Sequence, residues 1–345
     1  MPDAIDIENR DALLAYLRKT RRIAPDETPG IRNLQGGVSN RTVLVERDSG
    51  EAWVLKQALA KLRVPVDWFS SPDRIHREAL GLRWLERLAP AGTITPLIFE
   101  DMDQHLFAMQ AVPQPHENWK SLLLAGKLDF DIIRQFSTLL SQIHGVGSER
   151  REELASVFAD RSFFESLRLE PYYGYTSQQV PGAAGFLQTL IADTLSLRIT
   201  LVHGDYSPKN VLVYQGGLVL LDHEVIHFGD PGFDLGFSLT HFLSKAHHLP
   251  AMRRDFLRAA AEYWNTYIAG VGSLPWSADL EPRAVRHTLG CLLARVAGRS
   301  PLEYMSIDER TRQREVVLSI MQSPPDRIAG LISQFEEKLC RSSNA

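Results

Sequence analysis

Residues 201–236, LVHGDYSPKNVLVYQGGLVLLDHEVIHFGDPGFDLG, combine two short apolar runs with a set of oxygen-bearing side chains. Asp205 and Asn210 precede the first run, Val211 to Tyr214, and Asp222 and Glu224 follow the second, Leu218 to Leu221. Between the runs, Gln215-Gly216-Gly217 has turn composition, so the spacing predicts a β-hairpin. A hairpin returns its two open ends to one place, and the four polar groups are expected to converge. Carboxylates and an amide gathered in this way suit a hard divalent cation such as Mg²⁺, which takes one or two carboxylates together with phosphate oxygens. One aspartate can then be spared to orient a hydroxyl, while the metal neutralises charge on a transferring phosphoryl group. A polar loop followed by two core strands explains each residue singly but not the set.

An Asp, four intervening residues, an Asn and a hairpin to a second Asp form the pattern of a kinase catalytic loop. His203-Gly204-Asp205, Asn210, Asp222 and the run Gly229-Asp230-Pro231-Gly232-Phe233-Asp234-Leu235-Gly236 resemble the aminoglycoside phosphotransferase and choline kinase superfamily. Gly204 stands where protein kinases carry Arg, which points to the small-molecule branch. The resemblance implies an α+β, two-lobed, protein-kinase-like fold with a small antiparallel N-lobe and a larger, mainly helical C-lobe. It implies ATP and Mg²⁺ as cofactors, Asp205 as the residue that orients the acceptor hydroxyl, and Asn210 and Asp222 as metal ligands. The triplet Asp222-His223-Glu224 is similar to the Asp-x-Glu of methylthioribose and choline kinases, which places Glu224 near metal or substrate.

The segments before the hairpin must supply the nucleotide site. Residues 8–20 read as a helix through Leu13, Leu14 and Leu17. Gly36-Gly37-Val38-Ser39-Asn40-Arg41 precedes an apolar strand and resembles the family's nucleotide loop, so Gly36, Gly37 and Ser39 are expected at the phosphates. Ala52 to Lys56 reads as a strand closed by a lysine. Residues 72–89 read as a helix whose apolar stripe, Ile75, Ala79, Leu82 and Leu85, also carries Glu78. A carboxylate on that face needs a partner, and Lys56 is the natural one; Glu86 is the alternative. Two further strands, 97–100 and 106–109, lead to Gln110-Ala111-Val112-Pro113. In a two-lobed kinase this is the hinge, near 109–113, with backbone groups of Gln110 to Val112 facing adenine. The division expected is 1–112 and 113–345.

Beyond Pro115 the pattern is mainly helical. Ile132, Phe136, Leu139, Leu140 and Ile143 lead to a helix end at His144-Gly145, with His144 packing beneath the catalytic loop. Two helical patterns in 154–200 are separated by Pro171-Tyr172-Tyr173-Gly174-Tyr175, a cluster expected to pack. Lys209 lies beside the polar cluster, either at the γ-phosphate or solvated. Asp234 either caps the following helix or braces the catalytic loop by accepting its N–H groups. Arg295, in a mostly apolar helix, needs an acceptor; it is either a substrate contact or a brace. Methylthioribose kinases carry an Arg pair there, and Ala294 fills the first position here.

A chain of 345 residues with 44% apolar content can fill two lobes. Its net charge of −4 gives no reason to expect a nucleic-acid partner. The acidic, amphipathic start is unlike a signal peptide, no apolar run spans a membrane, and Cys291 and Cys340 fit no metal spacing. A cytoplasmic protein, monomeric or homodimeric, is expected. Residues 241–345 hold 14 Lys and Arg against 11 Asp and Glu, which does not build the acidic trough a polycationic aminoglycoside would need. The expected acceptor is therefore the hydroxyl of a sugar-like or amino-alcohol metabolite. An aminoglycoside phosphotransferase and a nucleotide-binding pseudokinase are the alternatives, the last disfavoured because Lys56, Glu78, Asp205, Asn210 and Asp222 are all present.

Overall fold

The computed structural model describes residues 5–34, 39–63 and 67–341. It divides into two compact units, residues 1–116 with 219–224, and residues 117–218 with 225–345.

The first unit is built on a five-stranded sheet of order β1-β2-β3-β5-β4. Its strands are β1 (Gly30–Asn33), β2 (Asn40–Glu46), β3 (Ala52–Ala58), β4 (Leu97–Asp101) and β5 (Leu106–Gln110), and every neighbouring pair is antiparallel. Helix α1 (Arg10–Lys19) is capped by the Asn9 side chain on Ala12 N and buries Leu13 and Leu17 with Val43, Val45, Trp53 and Leu55 of the sheet. Helix α2 (Arg74–Leu88) buries the face predicted for it: Ile75, Glu78, Ala79, Leu82 and Leu85. Strand β3 runs two residues beyond Lys56, so the lysine projects from within the strand and does not close it. The antiparallel N-terminal sheet and the helical remainder are those expected of a kinase-like α+β chain.

In the second unit β6 (Glu117–Asn118) pairs with β8 (Val211–Tyr214), and β7 (Thr200–Val202) pairs with β10 (His227–Gly229). The predicted hairpin is present: β8 turns through Gln215 and Gly216, at φ 49° and 76°, into β9 (Gly217–Leu220). Two successive residues at positive φ are the signature of a two-residue hairpin turn. Strand β9 then carries the chain into the first unit.

The helices are α3 (Trp119–Leu124), α4 (Phe130–Glu149), α5 (Arg151–Val157), α6 (Ser162–Phe164), α7 (Tyr175–Gln179), α8 (Ala184–Ser196), α9 (Gly232–His248), α10 (Arg253–Val271), α11 (Leu280–Ala297), α12 (Ile307–Met321) and α13 (Ile328–Arg341). Two boundaries differ from expectation. Helix α4 does not end at His144-Gly145 but continues to Glu149. Gly147 serves close packing: a Cβ there would lie 2.5 Å from Thr200 Oγ1 and 2.9 Å from Leu201 N, so only glycine lets β7 cross the helix. Pro171 does not break the chain either. It sits inside a π-helical stretch, Glu165–Gly174, that joins α6 to α7. The wider turn relieves the clash a proline ring makes in an α-helix. Tyr172 and Tyr173 are buried there, Tyr172 against Phe237 and Tyr173 against Phe233 and His287, as packing requires.

His227 shows what burial does to a titrating group in this unit. Its ring stacks on Phe164 with centroids 3.9 Å apart, and its Nδ1 lies 3.0 Å from the Val225 carbonyl. Burial lowers its pKa to about 4 from an ordinary 6.5. A depressed histidine contributes stability that is whole above pH 6.5 and is lost as pH falls towards 4, on the order of 3 kcal/mol at full effect. His227→Asn keeps an N–H for Val225 and cannot titrate in this range. Urea unfolding at pH 7 and pH 5 should show a smaller loss on acidification in the variant; equal losses would exclude His227 as a contributor.

Candidate active site

In the first unit, the expected Lys56 and Glu78 pair is formed. Lys56 Nζ lies 2.6 Å from Glu78 Oε1 and 3.5 Å from Asp222 Oδ1. Glu78 is fully buried at the end of one turn of α2, whereas Glu86, the alternative partner, is exposed. Burial alone would lower the Lys56 pKa, but Glu78, Asp222 and Glu224 outweigh it and hold the ammonium charged. Burial and the neighbouring Asp222 and Glu224 raise Glu78 to about 7 against the pull of Lys56. The ammonium is thus the hub of a carboxylate-rich group. Asp222 takes φ 68°, a left-handed conformation that only residues with short polar side chains adopt with any frequency besides glycine.

Arg74, four residues before Glu78, is a residue that sequence reasoning missed. It is completely buried. Its guanidinium donates to the carbonyls of Leu59 at 2.8 Å, Ser71 at 3.0 Å, Ser70 at 3.2 Å and Ser39, and its Nε lies 3.3 Å from Glu224 Oε2. Burial lowers its pKa, with Glu224 acting against the shift. Arg74 therefore ties the segment at Ser39 to the Glu224 carboxylate. Its position one turn before Glu78 was the available signal. Gly36 and Gly37 of the expected nucleotide loop lie outside the described residues; Ser39 is buried, with its carbonyl on Arg74.

At the expected hinge, Gln110 N donates to the Pro96 carbonyl at 2.9 Å and Ala111 N to the Ala52 carbonyl at 2.8 Å. Val112 is buried, and its carbonyl lies 3.1 Å from His116 Nδ1.

The second unit carries Asp205 and Asn210. Asn210 Nδ2 donates to Asp205 Oδ2 at 2.8 Å and to its carbonyl at 3.0 Å. Arg168, from the π-helical stretch, reaches the same Oδ2 at 2.7 Å and the Gly204 carbonyl at 3.2 Å. Nothing in its spacing marked Arg168, because the π-helix that aims it follows from packing. Asp234 braces the loop: it accepts from His203 N at 2.7 Å and Gly204 N at 2.8 Å. His144 Nε2 lies 3.2 Å from the same carboxylate and its Nδ1 lies 2.7 Å from Tyr267 Oη, so it supports the loop from below. Against burial, the His144 ring first, then the His203 ring and backbone N–H, hold Asp234 below the usual carboxylate range. Gly204 is at φ 78°, and a Cβ there would fall 2.9 Å from Val225 Cγ2, which explains glycine at this position. His203 accepts from Asp205 N at 3.2 Å through Nδ1.

Arg295 is 9% exposed and donates to Tyr172 Oη at 3.1 Å, Ser300 Oγ at 2.9 Å and the Ser300 carbonyl. These contacts tie it to the loop after α11, and its Nε remains buried without a hydrogen-bond partner.

Residues 30–268 match the phosphotransferase enzyme family. The chain belongs to that family. It is 23% identical over 299 residues to methylthioribose kinase 2 of Oryza sativa subsp. japonica, covering 74% of this chain and 69% of that one. Curated relatives are thus matched over about two thirds of their length. Among solved structures, an amicoumacin kinase in complex with AMP-PNP and Ca²⁺ has a TM-score of 0.59 at 15% identity, over 91% of this chain and 94% of that one. A choline/ethanolamine kinase family protein from Mesorhizobium loti has a TM-score of 0.55 at 14% identity, over 95% and 98%. These likenesses establish the fold of this phosphotransferase-family enzyme. No helix among the described residues is long and apolar enough to cross a membrane.

Proposed function

We infer that the protein transfers the γ-phosphoryl group of ATP to a hydroxyl of a small, sugar-like or amino-alcohol metabolite. The observation that carries this reading is the partly buried Lys56, bridged between Glu78 and Asp222. A lysine fixed in this way is suited to nucleotide phosphates. Ser39 and the Gly36-Gly37 loop would approach the same phosphates through backbone N–H groups. The Gln110 and Ala111 N–H groups are already bonded, and among the described residues the Val112 N–H has no backbone acceptor, so it would be the hinge donor for adenine.

Asn210, Asp222 and Glu224 offer the hard oxygen donors that Mg²⁺ takes. Asn210 fits this use, because its amide nitrogen is committed to Asp205 and its oxygen is the end left for a cation. A magnesium ion held by such donors would neutralise phosphate charge. Asp205 orients the acceptor hydroxyl and takes its hydrogen bond. The work is alignment and charge placement, since phosphoryl transfer asks little of a base. The similarity to a methylthioribose kinase supports a sugar-like acceptor; an aminoglycoside acceptor has in its favour only the breadth of the family.

The test is a panel of sugars, polyols, amino alcohols and aminoglycosides incubated with ATP and Mg²⁺, with ADP release and product mass both followed. A metabolite gaining one phosphoryl group is the expected result. Transfer confined to aminoglycosides would replace the acceptor class, and ADP-free mixtures throughout would overturn the kinase reading.

A further inference from the structure

Helix α9 is buried along Gly232–Ala246, and a helix enclosed on all sides should be apolar all round. It nevertheless carries Lys245, wholly unexposed. Its Nζ lies 3.3 Å from the His241 carbonyl of its own helix and 5.4 Å from the centre of the Tyr304 ring. Neither is a counter-ion.

The neighbours are mostly cations. Burial, joined by the charges of Lys120 and Arg295, pushes Lys245 down to about 7; Glu303 pulls the other way. Burial depresses His241 as well, together with the charges of Lys245, Arg295, Lys120 and Lys209. Glu303 is an exposed residue already paired with Lys120. Two further polar atoms in this neighbourhood, Arg295 Nε and Tyr304 Oη, are buried with no partner. An ammonium held only by a carbonyl of its own helix, beside two enclosed donors with no acceptor, is costly, and an apolar residue at 245 would serve packing better. The arrangement makes physical sense when an anion completes it.

The position of the cluster says which anion. One turn before His241, Ser238 Oγ donates to the Tyr206 carbonyl at 2.7 Å, so α9 packs directly on the loop of Asp205. Lys209, from that same loop, is among the charges felt by His241. We propose that Lys245, with Arg295 and Lys120, binds an anionic group, carboxylate or phosphate, of the acceptor whose hydroxyl Asp205 orients. This rests on the kinase reading for the word acceptor, but not for the binding site. It makes the substrate a hydroxy acid or a phosphorylated polyol, the reverse of the polycations that an aminoglycoside site must hold.

Matched ligands separate charge from shape. Gluconate and sorbitol share a carbon skeleton and differ in one carboxylate; glucose 6-phosphate and glucose make the phosphate pair. Calorimetric titration of the full chain, saturated with AMP-PNP and Mg²⁺ to fill the nucleotide site, should show the charged member of at least one pair binding more tightly. The preference is expected to be roughly 10- to 100-fold, the usual weight of a charge-assisted hydrogen bond. Which pair shows it tells carboxylate from phosphate. Lys245→Met should erase the preference while its melting temperature holds or rises, because an unpaired buried ammonium has been removed. Lys120→Met, at a partly exposed position, serves if that variant does not fold. Equal binding within both pairs, or a preference that survives both substitutions, overturns the proposal. The two readings fail separately: AMP-PNP binding without anion preference sinks the anion site alone, and Lys245-dependent anion binding without AMP-PNP binding sinks the kinase reading alone.

Discussion

Asp205→Asn should reduce kcat by about 10³-fold or more while the Kd for AMP-PNP stays within about threefold. The carboxylate is held on one oxygen by Asn210 and Arg168, at 2.8 and 2.7 Å. Two donors on Oδ2 fix the plane of the group and leave Oδ1 to meet a hydroxyl. Asparagine keeps the shape and can still present an oxygen to Arg168, so the fold is retained and the loss is confined to the chemical step. Asp205→Ala adds a second effect. Arg168 is buried and would lose the Asp205 carboxylate, which costs about 3 kcal/mol in a site this enclosed. The alanine variant should therefore be inactive and also melt earlier, whereas the asparagine variant should be inactive and melt normally. Pre-steady-state phosphoryl transfer and a nucleotide titration make the comparison. Near-normal kcat in Asp205→Asn would remove Asp205 from the reaction.

Lys56→Met should lower kcat/KM for ATP by about 10²- to 10³-fold, the usual effect of deleting one preorganised donor to a reacting phosphate. Its effect on stability should be smaller than the removal of a buried ion-pair partner ordinarily implies. Glu78 is already raised to about 7 by burial and by its acidic neighbours, so it takes up a proton readily once the ammonium is gone. Glu78→Gln gives the complementary result. Lys56 keeps Asp222 at 3.5 Å but loses its closer partner, so the lysine is present and less well aimed. A fall of about tenfold is expected, carried mostly by KM for ATP. The two variants together separate the phosphate contact from its positioning residue. Identical losses would mean that Lys56 acts only through the pair, and unchanged kinetics in both would remove the pair from nucleotide binding.

The polar residues of 201–236 and their spacing were enough to place this chain in its family. The reasons are local. A two-residue turn between apolar runs makes a hairpin wherever it occurs, and Glu78 on an apolar helix stripe demands a cation whatever surrounds it. Long periodic segments such as α1, α2 and α11 were legible for the same reason. The tertiary structure decided what depends on contacts distant in the chain. Helix α4 passes through His144-Gly145 because β7 packs on Gly147, and no periodicity carries that information. Pro171 lies within a helix because the turn there is widened, and that widening aims Arg168 at Asp205. Asp234 had two local roles open to it, and the approach of the 203–204 backbone selected one. Arg74 and Lys245 look like ordinary cations on helix faces. Only burial reveals that one is satisfied by four carbonyls and a glutamate and the other by nothing but its own helix.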